Sequence, residues 1–204
     1  MENSTRCFVK IIKEICEEEK IDLESFSYDW IFRLHKGDIY NYIIGYQFGL
    51  NSCAVHSICC DKSAASEIMT SFEIPNIEHN FFMSPINQKY VSNLGNWEKM
   101  MEMLNKHGNL VCKSNEGTGG RQVFRVTNQY ELENAVFAIF RKNRSMAISP
   151  YYDIENEYRV IVLNGEIKLI YTKRRPYIVG DGTHTISYLI LKSMDNDVSY
   201  IPIY

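Results

Sequence analysis

Residues 110–126 read LVCKSNEGTGGRQVFRV. Leu110-Val111-Cys112 is a short apolar strand that ends at Lys113, and Gln122 to Val126 reads as a strand again. Between them, Glu116-Gly117-Thr118-Gly119-Gly120-Arg121 is a glycine loop. Glycines let backbone N–H groups line a concavity that suits phosphate oxygens. The two common phosphate-loop motifs do not fit: no Lys-Ser/Thr pair closes this loop, and a strand follows where a helix is needed. A glycine loop between two strands is a hairpin, and a flexible hairpin can close over phosphates as a flap. The plain alternative is a flexible turn. Lys113, one step before the loop, would place a point charge on phosphates under that flap, or else reach solvent from the strand edge.

Outward from this stretch the chain alternates helices and strands. Asn128 and Glu131 form a capping-box pattern for a helix with Leu132, Val136, Ile139 and Phe140 inside. Met146 to Ile148 is a strand that ends at Ser149-Pro150. On the other side, Asn96 caps a helix with Trp97, Met100, Met101 and Leu104 on one face. Asp61 caps another, carrying Ala65, Ile68, Met69 and Phe72. Lys62 then stands in the first turn, where its charge opposes the helix dipole; a bound anion would hold it there, and a solvated surface Lys is the bland reading. The first helix carries Phe8, Ile11, Ile12 and Ile15 at helical spacing, with two β-prone runs after it, around a turn at Lys36-Gly37-Asp38. Ser84 to Gly95 reads as a hinge region.

Near the end, Asn164-Gly165 is a strong hairpin signal. A regular two-residue turn sets Leu163 opposite Glu166, Ile161 opposite Lys168, Arg159 opposite Ile170 and Glu157 opposite Thr172. One face then carries Glu157, Arg159, Ile161, Lys168, Ile170 and Thr172, with Arg174 if the strand continues. The other, core face carries Tyr158, Val160, Val162, Ile167, Leu169 and Tyr171. Gly180-Asp181-Gly182 is a tight turn, Thr183 caps a last helix, and Asp195-Asn196-Asp197 reads as loop.

The 204 residues carry 22 basic and 25 acidic side chains, a formal net charge of -3, which gives no global reason to expect nucleic-acid or anionic-membrane binding. No apolar run approaches the roughly 18 residues needed to span a bilayer, and Met1 to Lys10 lacks the pattern of a secretory signal. Six cysteines then read as cytosolic thiols, so the expected location is the cytoplasm. Cys53, His56, Cys59 and Cys60 fall in one eight-residue run without a second ligand pair, so they read as buried small hydrophobes rather than a zinc site, and no metal ligand is assigned.

Taken together, these pieces resemble the ATP-grasp superfamily: Lys113 before a glycine flap, then a strand, a capped helix and a hinge strand at Ile148-Ser149-Pro150-Tyr151-Tyr152. Glu157-Tyr158-Arg159-Val160 and the run from Arg175 through Gly180-Asp181-Gly182-Thr183-His184-Thr185-Ile186 are similar to the cyanophycin synthetase, glutathione synthetase-like and RimK-like ligases. Asp61-Lys62 resembles the pair that opens the helix before the flap domain. The resemblance implies an α+β, partial ATP-grasp fold: an N-terminal α/β segment over 1–86, a flap domain over 87–152, and the start of a C-terminal domain over 153–204. It implies ATP and Mg²⁺ as cofactors, with Lys62 and Lys113 on phosphates, Gly117, Thr118, Gly119 and Gly120 as flap, and Ser149, Tyr151 and Tyr152 at the adenine hinge. Glu157 would hold the ribose, and Arg159 with Arg174 or Arg175 would stabilise an acyl-phosphate.

The implied function is a ligase that joins a small-molecule or peptide carboxylate to an amine (or thiol), with no nucleic-acid or membrane partner and an oligomer left open. Two departures stand out. Ser149 occupies a hinge position where the family often has Glu or Gln, and the chain reads as truncated before the family's metal-binding Asp and Glu-x-Asn strands. The alternative is therefore a non-catalytic nucleotide-binding remnant that binds ATP weakly without turning it over. A third reading is an unrelated α/β interaction module in which the glycine loop is only a turn.

Overall fold

The computed structural model describes residues 6–87, 97–174 and 177–196. The expected cap Asn96, most of the expected hinge region, Arg175 and Asp197 lie outside the described residues. The fold is α+β, and the chain divides into two compact units, 1–151 and 152–204.

The first unit has two cores. Helix α1 (Cys7–Glu18) packs on an antiparallel sheet of β1 (Asp22–Phe26), β2 (Ile31–Lys36) and β3 (Ile39–Ile44), joining Val9, Ile12 and Cys16 to Phe32 and Ile43. The buried stripe of α1 is thus Val9, Ile12 and Cys16, while Ile11 and Ile15 of the expected face are exposed. The sheet selects the stripe: a helix on a flat support buries one narrow arc, and Ile11 and Ile15 lie just outside it. Helix α2 (Cys53–Cys60) follows, with Ser52 accepting from the Val55 N–H, and then α3 (Lys62–Ser71). Cys53, Cys59 and Cys60 are exposed rather than buried, because α2 buries none of its residues.

The second core lies under a four-stranded antiparallel sheet in the order β4 (Asn80–Met83), β7 (Ser145–Pro150), β5 (Leu110–Ser114), β6 (Val123–Val126). Helix α4 (Trp97–His107) contributes Met100, Met103 and Leu104, and α5 (Gln129–Phe140) contributes Leu132, Ala135 and Ile139. The start of α5 follows the capping-box logic with a shift of one residue. Asn128 Oδ1 accepts from the Glu131 N–H at 3.0 Å, and Glu131 Oε2 accepts from the Thr127 N–H at 2.7 Å.

The second unit holds the hairpin of β8 (Glu157–Leu163) and β9 (Glu166–Lys173), then α6 (Ile186–Asn196). Leu163 does face Glu166, but a bulge shifts the rest: Ile161 faces Leu169, Arg159 faces Tyr171 and Glu157 faces Lys173. One extra residue on β9, Lys168, stands unpaired. Glu157 and Arg159 therefore share a face with Tyr171 and Lys173, not with Ile170 and Thr172, and Tyr158 and Val160 are exposed rather than buried. Two further expectations are corrected here. Asp181, not Thr183, organises the turn, accepting from the Thr183 and His184 N–H groups, while Thr185 Oγ1 accepts from the Tyr188 N–H at the helix start. Asp195 and Asn196 continue α6 instead of forming a loop, since no glycine or proline interrupts the helix before them. Among the described residues no helix is long and apolar enough to cross a membrane.

Candidate functional site

Strand pairing decides which side chains meet. Lys113 stands opposite Ala147 on one neighbour and Val123 on the other, and Ala147 stands opposite Phe81. Directly opposed residues of antiparallel strands share a face, and the face repeats every second residue. Lys113, Ala147 and Phe81 therefore lie on the same side as Val111, Ser149 and Arg125 of the next row. Leu110, Cys112, Met146, Ile148 and Phe82 take the opposite, core side. Cys112 is consumed by packing: burial pushes its thiol up to about 12, so it is no nucleophile at neutral pH.

The loop between β5 and β6 is held from beneath by Lys62. Its Nζ donates to the carbonyls of Ser114 at 3.0 Å, Asn115 at 3.0 Å and Gly117 at 2.6 Å. Gly117 permits this closure, since a Cβ there would lie 2.9 Å from the Ser114 Cβ. Asn115, fully buried, ties the loop to α3: its Oδ1 accepts from the Ser63 N–H at 3.1 Å and the Ser63 hydroxyl at 3.0 Å. Asp61 Oδ1 accepts from the Ala64 N–H at 2.8 Å. Burial pushes the Asp61 carboxyl up, but the Ala64 N–H and Ser63 hydroxyl outweigh it and leave the group below its ordinary value. These bonds explain why Ser63 is buried in α3, and Ser66 is buried with its hydroxyl donating to Asn76 Oδ1 at 2.7 Å, while Ile68 and Phe72 of the expected apolar face are exposed. At the loop's far end, Asn143 bridges Gln122 and Ser114.

Lys113 differs from Lys62. Among the described residues its Nζ has no hydrogen-bond or ion-pair partner. Burial lowers the Lys113 ammonium, and the charge of Lys62 lowers it further. Lys62 is also lowered by burial, against the opposing pull of Asp61. His79 is lowered by burial and then by Lys113. Its Nδ1 lies 2.6 Å from the Ile77 carbonyl, and its N–H is bonded to Ser66. At the hinge, Ser149 is buried, the Tyr151 N–H is committed to the Asn109 carbonyl at 3.0 Å, and the Arg125 guanidinium lies over the Tyr151 ring at 4.0 Å.

The first unit thus collects Lys62, Lys113, Gly117, Thr118, Gly119, Gly120, Ser149 and Tyr151. Tyr152, Glu157, Arg159 and Arg174 belong to the second. There, Glu157 accepts from Lys173 at 3.4 Å and pairs with Arg159 at 3.2 Å, and Arg174 is exposed at a depression of about 550 Å³ that Glu155 and Glu157 also line. Sequence reasoning missed Asn115, His79 and Arg125. Asn115 has the look of an ordinary turn residue, and Arg125 could have been found from the strand alternation that puts it on the side of Lys113. Among the described residues no three carboxylate, imidazole or thiol groups converge to hold a metal ion.

Several solved structures are similar to this chain in part. The bifunctional glutathione synthetase from Pasteurella multocida is 18% identical over 92% of this chain and 24% of that one, with a TM-score of 0.48. The D-alanyl-alanine synthetase A from Vibrio cholerae is 13% identical over 68% and 45%, at 0.47. The D-alanine–D-alanine ligase from Bacillus anthracis complexed with ATP is 22% identical over 58% and 36%, at 0.45. This chain spans less than half the length of each of these three. No family model matches it, and no curated protein does.

Proposed function

We propose that the chain is the nucleotide-binding part of an ATP-dependent carboxylate–amine (or thiol) ligase of the ATP-grasp type, acting in the cytoplasm. The observation that carries this reading is Lys113: a half-buried cation on the strand that leads into the glycine loop, without a partner among the described residues, and repelled by the charge of a second cation, Lys62. A desolvated charge is costly unless paired. What the position lacks is an anion, and a polyphosphate fits between one cation and a loop rich in N–H donors. In this reading Ser149 and Tyr151 border the adenine, Glu157 faces the ribose, and Arg159 with Arg174 or Arg175 supports the acyl-phosphate formed from the carboxylate substrate.

Calorimetric titration with ATP, with and without Mg²⁺, tests it. The wild-type chain should bind ATP and Lys113→Met should lose most of that affinity. Absence of ATP and tripolyphosphate binding in the wild type would leave the glycine loop as a turn in an interaction module. Binding without phosphate release would assign a nucleotide-binding module that is not itself catalytic. Steady Mg²⁺-dependent ADP formation with an amine acceptor would assign the full ligase reaction.

A further inference from the structure

We infer that Lys62 is a positioning residue, whose ammonium latches the glycine loop so that the Glu116 and Thr118 N–H groups are presented to the anion that Lys113 receives. The inference rests on the reading of Lys113 as an anion site and deepens it. An ammonium has three protons, and each has a carbonyl at hydrogen-bond distance: Ser114, Asn115 and Gly117. No proton is left over for a phosphate unless a loop carbonyl is released. The carbonyl and the N–H of one planar trans peptide unit point in opposite directions. Turning the Asn115 carbonyl toward Lys62 therefore turns the Glu116 N–H away from it, and turning the Gly117 carbonyl inward does the same for Thr118. Asn115 and the Lys62 backbone reinforce this arrangement, since the Lys62 N–H also donates to the Asn115 carbonyl at 3.2 Å. Two lysines that look equivalent in sequence thus divide the work: one faces the loop and the other faces the ligand.

Trypsin nicking at Arg121 reads the opening of the loop, and inorganic tripolyphosphate reads the anion site. Lys62→Met should raise the nicking rate about tenfold, because cleavage follows the population of the open loop. Its tripolyphosphate affinity should fall only about threefold, against more than about tenfold for Lys113→Met. Lys113→Met should leave nicking unchanged, and Lys62→Arg should fall between wild type and Lys62→Met, since a planar guanidinium cannot reach three converging carbonyls equally. The ammonium ¹⁵N signal of Lys62 in the wild-type chain, protected from exchange before and after tripolyphosphate is added, checks the latch without any variant and decides the matter should Lys62→Met not fold. Nicking of Lys62→Met at the wild-type rate, or a Lys62 ammonium signal that moves onto the added phosphate, would overturn the inference. Failure of the wild type to bind tripolyphosphate would remove the anion reading alone, and nicking and the ammonium signal would still judge the latch.

Discussion

The Arg125 guanidinium lies 4.0 Å from the centre of the Tyr151 ring, and its Nε donates to Asn109 Oδ1 at 3.1 Å. Residue 109 in turn accepts the Tyr151 N–H through its carbonyl. One arginine on β6 thereby clamps the exit of β7. Replacing it by alanine should cost about 0.5–1 kcal/mol, the usual worth of an exposed cation–π contact, measured by urea unfolding. Arg125→Lys, which cannot stack as a plane, should recover less than half of that.

Asn115 is the internal strut of the loop. Asn115→Ala leaves the Ser63 N–H without its acceptor in a buried setting, while the Ser63 hydroxyl keeps Asp61 Oδ1 at 2.8 Å. The expected loss is about 1–3 kcal/mol, the cost of a stranded buried donor, with an unchanged m-value.

Lys113 should be a liability for stability. Its folded-state pKa is below the ordinary lysine value, so in the window between the two the unfolded chain binds more protons and stability rises with pH. Lys113→Met should therefore be more stable than wild type at neutral pH. The gap should shrink as pH climbs toward about 10.4, where the unfolded lysine also loses its proton. Thermal melts at pH 7 and pH 10 measure it, and a variant less stable at pH 7 would contradict the account.

Gly117→Ala brings a Cβ to 2.9 Å from the Ser114 Cβ. Overpacking of this kind costs about 1–3 kcal/mol unless the backbone moves. Movement here means loss of the Gly117 carbonyl from Lys62, so nicking at Arg121 should increase even where the melting temperature barely changes.

The hairpin around the glycine loop was legible because its signal is local: two apolar strands flanking glycines leave little choice of topology. The place of Lys113, on the strand that enters the loop, was legible for the same reason. The face of α3 was not, because apolar periodicity cannot register Ser63 and Ser66, which are buried through hydrogen bonds rather than through transfer from water. The register of β8 and β9 failed beyond the turn, since Asn164-Gly165 fixes the first pair and nothing in the residues around Lys168 announces an extra position. Strand β4 escaped notice for want of length. Four residues, Asn80 to Met83, are too few for alternation to be distinguished from chance.

The order β4-β7-β5-β6 has a consequence in time. The strand that joins β4 to β5 is the last of the four to leave the ribosome. Until Ser145–Pro150 emerges, β5 and β6 can pair as neighbours, but β4 has no partner in that sheet and the row Phe81, Ala147, Lys113 does not exist. Contacts between segments so distant in sequence form slowly, because the intervening chain must first surrender its freedom. A nascent chain that has emerged only as far as residue 144 would therefore leave β4 open to protease while β5 and β6 are already paired.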